Sequence, residues 1–214
     1  KDKKLDFDKA ISINPLYFTA YNNRANVKKE LKDYDGAMAD LNKAIAINPS
    51  YAIAYYNRGS IKKKLGNCSE AILDYNSSIL LESSNSPVYN QRANCWYILN
   101  DYNKAILDYN EALKLEPNYI NAYFNRGSAK HRARDYLGAI KDFNKVIEIN
   151  PNHANAFFNR GVVKNNGLGD SDGAISDFDM AINIDSNYEQ PYNNRANLKK
   201  VSGDYKGAIE DYSK

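Results

Sequence analysis

Small, aromatic and charged positions recur along this chain at a fixed step. Alanine falls at Ala37, Ala71, Ala105, Ala139, Ala174 and Ala208, and arginine at Arg24, Arg58, Arg92, Arg126, Arg160 and Arg195. Every step in both columns is 34 residues, except one of 35 from Arg160 to Arg195 and from Ala139 to Ala174. A period of this length marks a stack of small supersecondary units, each unable to bury its apolar face alone. The extra residue must lie between Arg160 and Ala174. The Gly-rich stretch Asn165-Asn166-Gly167-Leu168-Gly169-Asp170 is the expected place, read as a stretched turn between helices.

Each unit reads as two helices. In the first full unit they are expected from Ala20 to Leu31 and from Tyr34 to Ile47, with Lys32-Asp33 as the polar break. Asn14-Pro15, Asn48-Pro49, Glu116-Pro117 and Asn150-Pro151 stop the second helix, because proline cannot continue one. The first helix carries a small column: Ala25, Gly59, Ala93, Gly127, Gly161 and Ala196. The second carries the alanine column and another at Ala44, Ser78, Ala112, Val146 and Ala181. Small residues on facing helices let the backbones approach. Bulky columns fill the space beside them: Tyr21, Tyr55, Tyr89, Tyr123, Phe157 and Tyr192 on one helix, Leu41, Tyr75, Tyr109, Phe143, Phe178 and Tyr212 on the other.

Taken together, the period, the paired helices, the small and aromatic columns and the closing proline resemble the tetratricopeptide repeat (TPR) family over essentially the whole chain. Two positions depart from the family pattern: arginine stands where a leucine usually precedes the small residue, and Tyr or Phe replaces the usual tryptophan. The resemblance implies an all-α, right-handed superhelical solenoid of helix-turn-helix repeats. The boundaries would be a partial repeat at 1–15, full repeats at 16–49, 50–83, 84–117, 118–151 and 152–186, and an incomplete one at 187–214. Both ends lack the polar capping helix of a finished solenoid. They read as a fragment of a longer array.

Composition narrows the function. The chain of 214 residues is 43% hydrophobic and 26% charged, which is ordinary for a globular protein. No apolar run approaches the roughly 18 residues of a membrane helix, and no signal peptide opens the sequence. A net charge of +3, from 29 Lys and Arg against 26 Asp and Glu, gives no electrostatic footprint for nucleic acid. Two cysteines, Cys68 and Cys95, make neither a disulfide framework nor a zinc site and read as packing residues. His131 and His153 stand in different units without metal-ligand spacing. The glycines around Gly167 lack the context of a phosphate or calcium loop. No nucleophile with a base and no acid–base carboxylate pair is found. No enzyme activity, cofactor or metal is expected of this chain, and the compartment expected is the cytoplasm.

Two polar columns remain. The arginines are matched by Asp40, Asp74, Asp108, Asp142, Asp177 and Asp211, each 16 or 17 residues on. That spacing predicts a ladder of Arg–carboxylate pairs between helices, whose planar forks match. The competing reading is an arginine column that captures an acidic ligand. Immediately before the arginines stand Asn23, Asn57, Gln91, Asn125, Asn159 and Asn194, all amides that both donate and accept. By the family resemblance this column faces the concave groove, and it is similar to the backbone-binding asparagine ladder of the O-GlcNAc transferase array. A second column follows three residues later, at Asn26, Ser60, Asn94, Ser128 and Asn197, on the same helix face. Lys29, Lys63, Lys64, Arg132 and Lys200 come further along the first helices. If these line the groove they favour an acidic or phosphorylated segment. Tyr56, Phe124 and Phe158 could add apolar wall, and Trp96 and Tyr97 could anchor a partner.

The expected function is therefore a protein-interaction module that binds an extended peptide or partner segment in its groove. The candidate peptide-binding residues are Asn23, Asn57, Gln91, Asn125, Asn159, Asn194, Asn26, Asn94, Asn197, Lys63, Lys64 and Arg132. The alternatives are a substrate-recruiting arm of a larger enzyme and a structural scaffold that uses its convex face. The clamp that other members of the family use for the acidic tails of heat-shock chaperones is not matched. It needs a lysine just before the ladder, where this chain has Asn22, Tyr56, Asn90, Phe124, Phe158 and Asn193.

Overall fold

A computed structural model describes residues 3–214 and contains thirteen α-helices and no strand among them. The first two residues of the expected partial repeat lie outside the described ones. The chain forms two compact units, residues 1–101 and 102–214. The first holds α1 (Lys3–Ile13), α2 (Phe18–Glu30), α3 (Tyr34–Ile47), α4 (Ala52–Lys64), α5 (Cys68–Leu81) and α6 (Ser86–Ile98). The second holds α7 (Tyr102–Leu115), α8 (Ile120–Arg132), α9 (Tyr136–Ile149), α10 (Ala154–Leu168), α11 (Ser171–Ile184), α12 (Glu189–Val201) and α13 (Tyr205–Tyr212). Even-numbered helices are the first helices of the repeats and odd-numbered ones the second. Within each unit every helix packs on its chain neighbours, and first helices also touch: α2 on α4, α4 on α6, α8 on α10.

Helix α3 spans the residues expected from sequence. Helix α2 begins two residues earlier than expected, at Phe18, because the turn after Pro15 closes at once: the Tyr17 N–H donates to the Asn14 carbonyl at 3.1 Å. Asp33, Asp135, Asp170 and Asp204 cap α3, α9, α11 and α13. Each accepts from the N–H of a glycine three residues on, at 2.9 or 3.0 Å. Such a cap stabilises a helix by about 1 kcal/mol. Between the paired helices the chain turns through one left-handed residue, Lys32, Gly66, Asn100, Arg134, Gly169 or Gly203.

The inserted residue is not in a turn. Helix α10 has 15 residues where α8 has 13, so it extends the last helical turn. The Asp170 N–H reaches back six residues to the Lys164 carbonyl, whereas Asn67 reaches back five to Lys62. Tyr136 explains the glycine there, since a Cβ on Gly167 would lie 2.5 Å from its ring.

The core follows the columns. Leu41, Tyr75, Tyr109, Phe143 and Phe178 on the second helices are buried, and the small column faces them. A Cβ on Gly59 would come 2.9 Å from the Tyr75 ring, and one on Gly161 2.8 Å from Phe178. Only small residues permit helix pairs this close. The other aromatic column is a platform for arginine: Tyr21 and Phe157 are buried in the core, and Tyr55, Tyr89, Tyr123 and Tyr192 are half-buried. Arg24, Arg58, Arg126, Arg160 and Arg195 each lie over the aromatic ring three residues earlier, 5.3–5.5 Å from its centroid.

The arginines tie the stack together. Arg24 Nε and Nη2 form a bidentate pair with Asp40 at 2.8 and 2.5 Å, and its Nη1 reaches Asp8 on α1 at 2.7 Å. Arg58 joins Asp74 and Asn42, Arg126 joins Asp142 and Asn110, Arg160 joins Asp177 and Asn144, and Arg195 joins Asp211 and Asp179. Each of these arginines sits on a first helix and bridges the second helices before and after it. The bidentate aspartates are only 2–5% exposed. Each also accepts a lysine one turn after its arginine: Lys28, Lys62, Lys130, Lys164 and Lys199, at 2.8–2.9 Å. The expected ion-pair ladder is thus present, and these guanidinium groups are fully engaged within the protein.

Replacing Asp177 by Asn keeps the shape but leaves Arg160 and Lys164 without their counter-charge. Loss of one partner from a buried pair costs roughly 3 kcal/mol, and urea unfolding should show a loss of that order. A change within ~0.5 kcal/mol would mean the rungs add nothing.

Burial pushes the Asp40 and Asp211 carboxyls up, but hydrogen bonds from Arg24 and Lys28, and from Arg195 and Lys199, outweigh it. Both stay below the ordinary value of 3.8. The folded chain therefore releases these protons more readily than the unfolded one. The stability this gives is complete well above pH 3.8 and is lost as pH falls through and below it. Thermal melts should show Tm holding down to about pH 5 and dropping steeply below about pH 4.

Candidate functional site

The first helices place the ladder amides in graded exposure. Asn23 is exposed, Asn57 is 8% exposed, and Gln91, Asn125, Asn159 and Asn194 are half-buried. Asn57 Nδ2 donates to Asn22 Oδ1 at 2.8 Å, across from α4 to α2. Asn22 in turn donates to Asn23 Oδ1 at 3.4 Å. These bonds fix Asn57 in place and leave its Oδ1 free to accept. Asn159 Nδ2 instead donates to the carbonyl of Asn155 on its own helix, at 2.9 Å. In the second column Asn26 and Asn94 are half-buried, and Asn197 is exposed and accepts from the Tyr212 hydroxyl at 2.6 Å. Arg132 is exposed, lies 5.7 Å from the centroid of the Tyr102 ring, and donates to its hydroxyl at 3.3 Å.

Four of these candidates converge. A cavity of about 590 Å³ in the first unit is lined by Asn57, Gln91, Lys63 and Lys64, together with Lys29, Glu30, Lys32, Tyr56 and Ser60. Three successive first helices, α2, α4 and α6, supply its walls. Tyr56, Asn57, Ser60, Lys63 and Lys64 recur at three- and four-residue spacing, so one face of α4 forms its floor. Lys63 Nζ donates to Gln91 Oε1 and so links α4 to α6. Burial pushes the Tyr56 phenol up, with Ser60 acting against it, so the ring is a neutral wall. In the second unit Asn194 and Asn197 share a smaller cavity of about 160 Å³ with Asn165, Asn166, Val162, Leu198 and Phe178. The structure does not bring Asn23, Asn26 or Arg132 into either cavity.

Four residues beyond the sequence candidates bear on the site. Asn22 and its counterpart Asn90 are both 3% exposed. Asn22 anchors the ladder, whereas Asn90 Oδ1 is a buried acceptor without a donor. Their recurrence one place before the ladder was the available signal. Glu30 and Lys32 reach the first cavity from the end of α2 and its turn, which the periodic helix pattern does not cover.

Elsewhere the residue chemistry is structural. Cys68 and Cys95 are free and buried, and desolvation together with a hydrogen bond to Cys68 holds the Cys95 thiol far above its ordinary range. Burial, aided by Arg132, lowers the His131 imidazole. His153 Nδ1 caps α10 by accepting from the Ala156 N–H at 3.1 Å. Among the described residues no group of three or more His, Cys, Asp or Glu is placed to hold a metal ion, and no helix is long and apolar enough to cross a membrane.

Comparison with known proteins follows the same lines. Profiles of the TPR repeat match residues 25–66 and 93–133. Profiles of the tetratricopeptide repeat match residues 52–85 and 120–153. No curated protein matches the sequence. Among solved structures, YrrB is described as a TPR protein with an unusual peptide-binding site. It is similar over 91% of this chain and 97% of its own, at 25% identity and a TM-score of 0.78. A tetratricopeptide repeat protein from Parabacteroides merdae is similar over 91% of this chain and 77% of its own, at 23% identity and a TM-score of 0.79. MamA is similar over 79% of this chain and 92% of its own, at 22% identity and a TM-score of 0.74. At those identities the last two speak for the fold alone.

Proposed function

Because the chain belongs to the tetratricopeptide repeat family, we propose that it is a protein-interaction scaffold that holds an extended peptide segment along its first helices. The observation that carries this reading is the cavity that gathers Asn57, Gln91, Lys63 and Lys64 from successive first helices. A carboxamide accepts from a peptide N–H and donates to a peptide C=O. It therefore reads main chain, whatever the side chains. Asn57 is already held by Asn22, so little rotamer freedom is lost on binding. The arginines beside the ladder are occupied by their aspartates and leave the amides as the recognition groups. The similarity to YrrB, itself described as peptide-binding, supports the reading.

The test compares the wild type with Asn57→Ala and Gln91→Ala combined, on a peptide array followed by titration of the strongest ligands. Circular dichroism checks that the variant keeps its helices. Two lost hydrogen-bonding amides should weaken binding roughly tenfold. Unchanged binding by the folded variant would show that the column is a solvated face.

A further inference from the structure

The cavity between α2, α4 and α6 carries more positive charge than a peptide backbone requires. Four lysines line it, Lys29, Lys32, Lys63 and Lys64, against one acid, Glu30. The fold neutralises the lysines it uses for packing: Lys28 and Lys62, each one residue before a cavity lysine, pair with Asp40 and Asp74. The cavity lysines are treated differently. Lys63 is held by the neutral Gln91, and Lys64 lies 5.7 Å from the centroid of the Tyr34 ring. Both contacts orient the ammonium and leave its charge in place. The helix ends do not account for these cations either. A basic last turn complements the helix dipole, yet the places equivalent to Lys29 and Lys63 in the next three repeats hold Tyr97, His131 and Asn165, and lysine returns only at Lys200.

We propose that this cavity binds the phosphate of a phosphorylated side chain in the peptide segment, an inference that rests on the peptide reading above. A phosphorylated residue brings a charge of about −1.5 to −2 and three strong acceptor oxygens. It can engage several ammonium groups at once and relieve their mutual repulsion. A single carboxylate satisfies fewer of them. Arginine would be the better partner for a carboxylate, since its fork matches that anion, whereas lysine acts as a point charge. The arginines of α2 and α4 are committed to Asp40 and Asp74, so the cavity presents lysine alone. Tyr56 and Ser60 complete the lining with a ring wall and a hydroxyl. With about 590 Å³ the space takes a phosphorylated side chain with its flanking main chain, which runs past Asn57 and Gln91.

The experiment uses the full chain and short degenerate peptide pools with a fixed central residue, followed by fluorescence anisotropy. The central residue is phosphorylated serine, threonine or tyrosine in three pools, unmodified in matched pools, and glutamate in another. A phosphorylated pool should bind about tenfold tighter than its unmodified match, the gain expected of charge-assisted hydrogen bonds. Lys29→Gln with Lys64→Gln should abolish that margin, so that the variant binds phosphorylated and unmodified pools alike. Lys29→Arg with Lys64→Arg should keep most of it, which separates charge from folding. Equal binding of phosphorylated and unmodified pools would overturn the phosphate site and leave the peptide reading standing. So would a glutamate pool that matches the phosphorylated one, a margin that survives in the glutamine variant, or an oligouridine that displaces the phosphopeptide with equal affinity. A chain that binds none of the pools would overturn both readings.

Discussion

The bidentate arginine–aspartate rung is the contact on which the stack depends. Removing a carboxylate from water costs several kcal/mol, and the cost is recovered only when every donor is in place. Asp74 meets that condition with Arg58 and Lys62, and Asp177 with Arg160 and Lys164. A helix slipped along its neighbour would bury the same aspartate without its donors. The rung therefore penalises misregister, while the close Gly59–Tyr75 and Gly161–Phe178 contacts provide the burial. Because each arginine also reaches the preceding second helix, the penalty applies between repeats as well as within them. Asp8 and Asp179 accept this last bond for Arg24 and Arg195, and asparagines accept it for Arg58, Arg126 and Arg160. These acceptors stand at exposed or half-exposed positions, so asparagine and aspartate both serve there.

The same contact shapes the binding face. An arginine that spends its fork on an aspartate cannot also capture an acidic ligand, so recognition falls to its neighbours on the helix. The amide immediately before it is one such neighbour, and Asn22 shows that the place before that can serve as its anchor. Lysines sort by the same logic. Those one turn after the arginine join the rung, and those one residue further on line the cavity with their charge uncompensated. Two adjacent positions on one helix thus have opposite electrostatic roles, because the helix rotates about 100° per residue and only one of them faces the buried aspartate.

What the sequence determined by itself is the repeat, because the period, the small and aromatic columns and the Arg–Asp spacing are all functions of position along the chain. Helix α3 and the composition of the rungs were legible for that reason. The tertiary structure alone decided the rest. It put the extra residue into the last turn of α10, since Tyr136 packs over Gly167. It made the first-helix aromatics platforms for arginine and buried only Tyr21 and Phe157 among them in the core. It chose which candidates meet: Asn57, Gln91, Lys63 and Lys64 share a cavity, while Arg132 stacks on Tyr102 and Asn159 turns back to its own helix. Periodicity assigns every member of a column the same face, but what a side chain does there depends on neighbours contributed by other helices, and those neighbours differ from one repeat to the next.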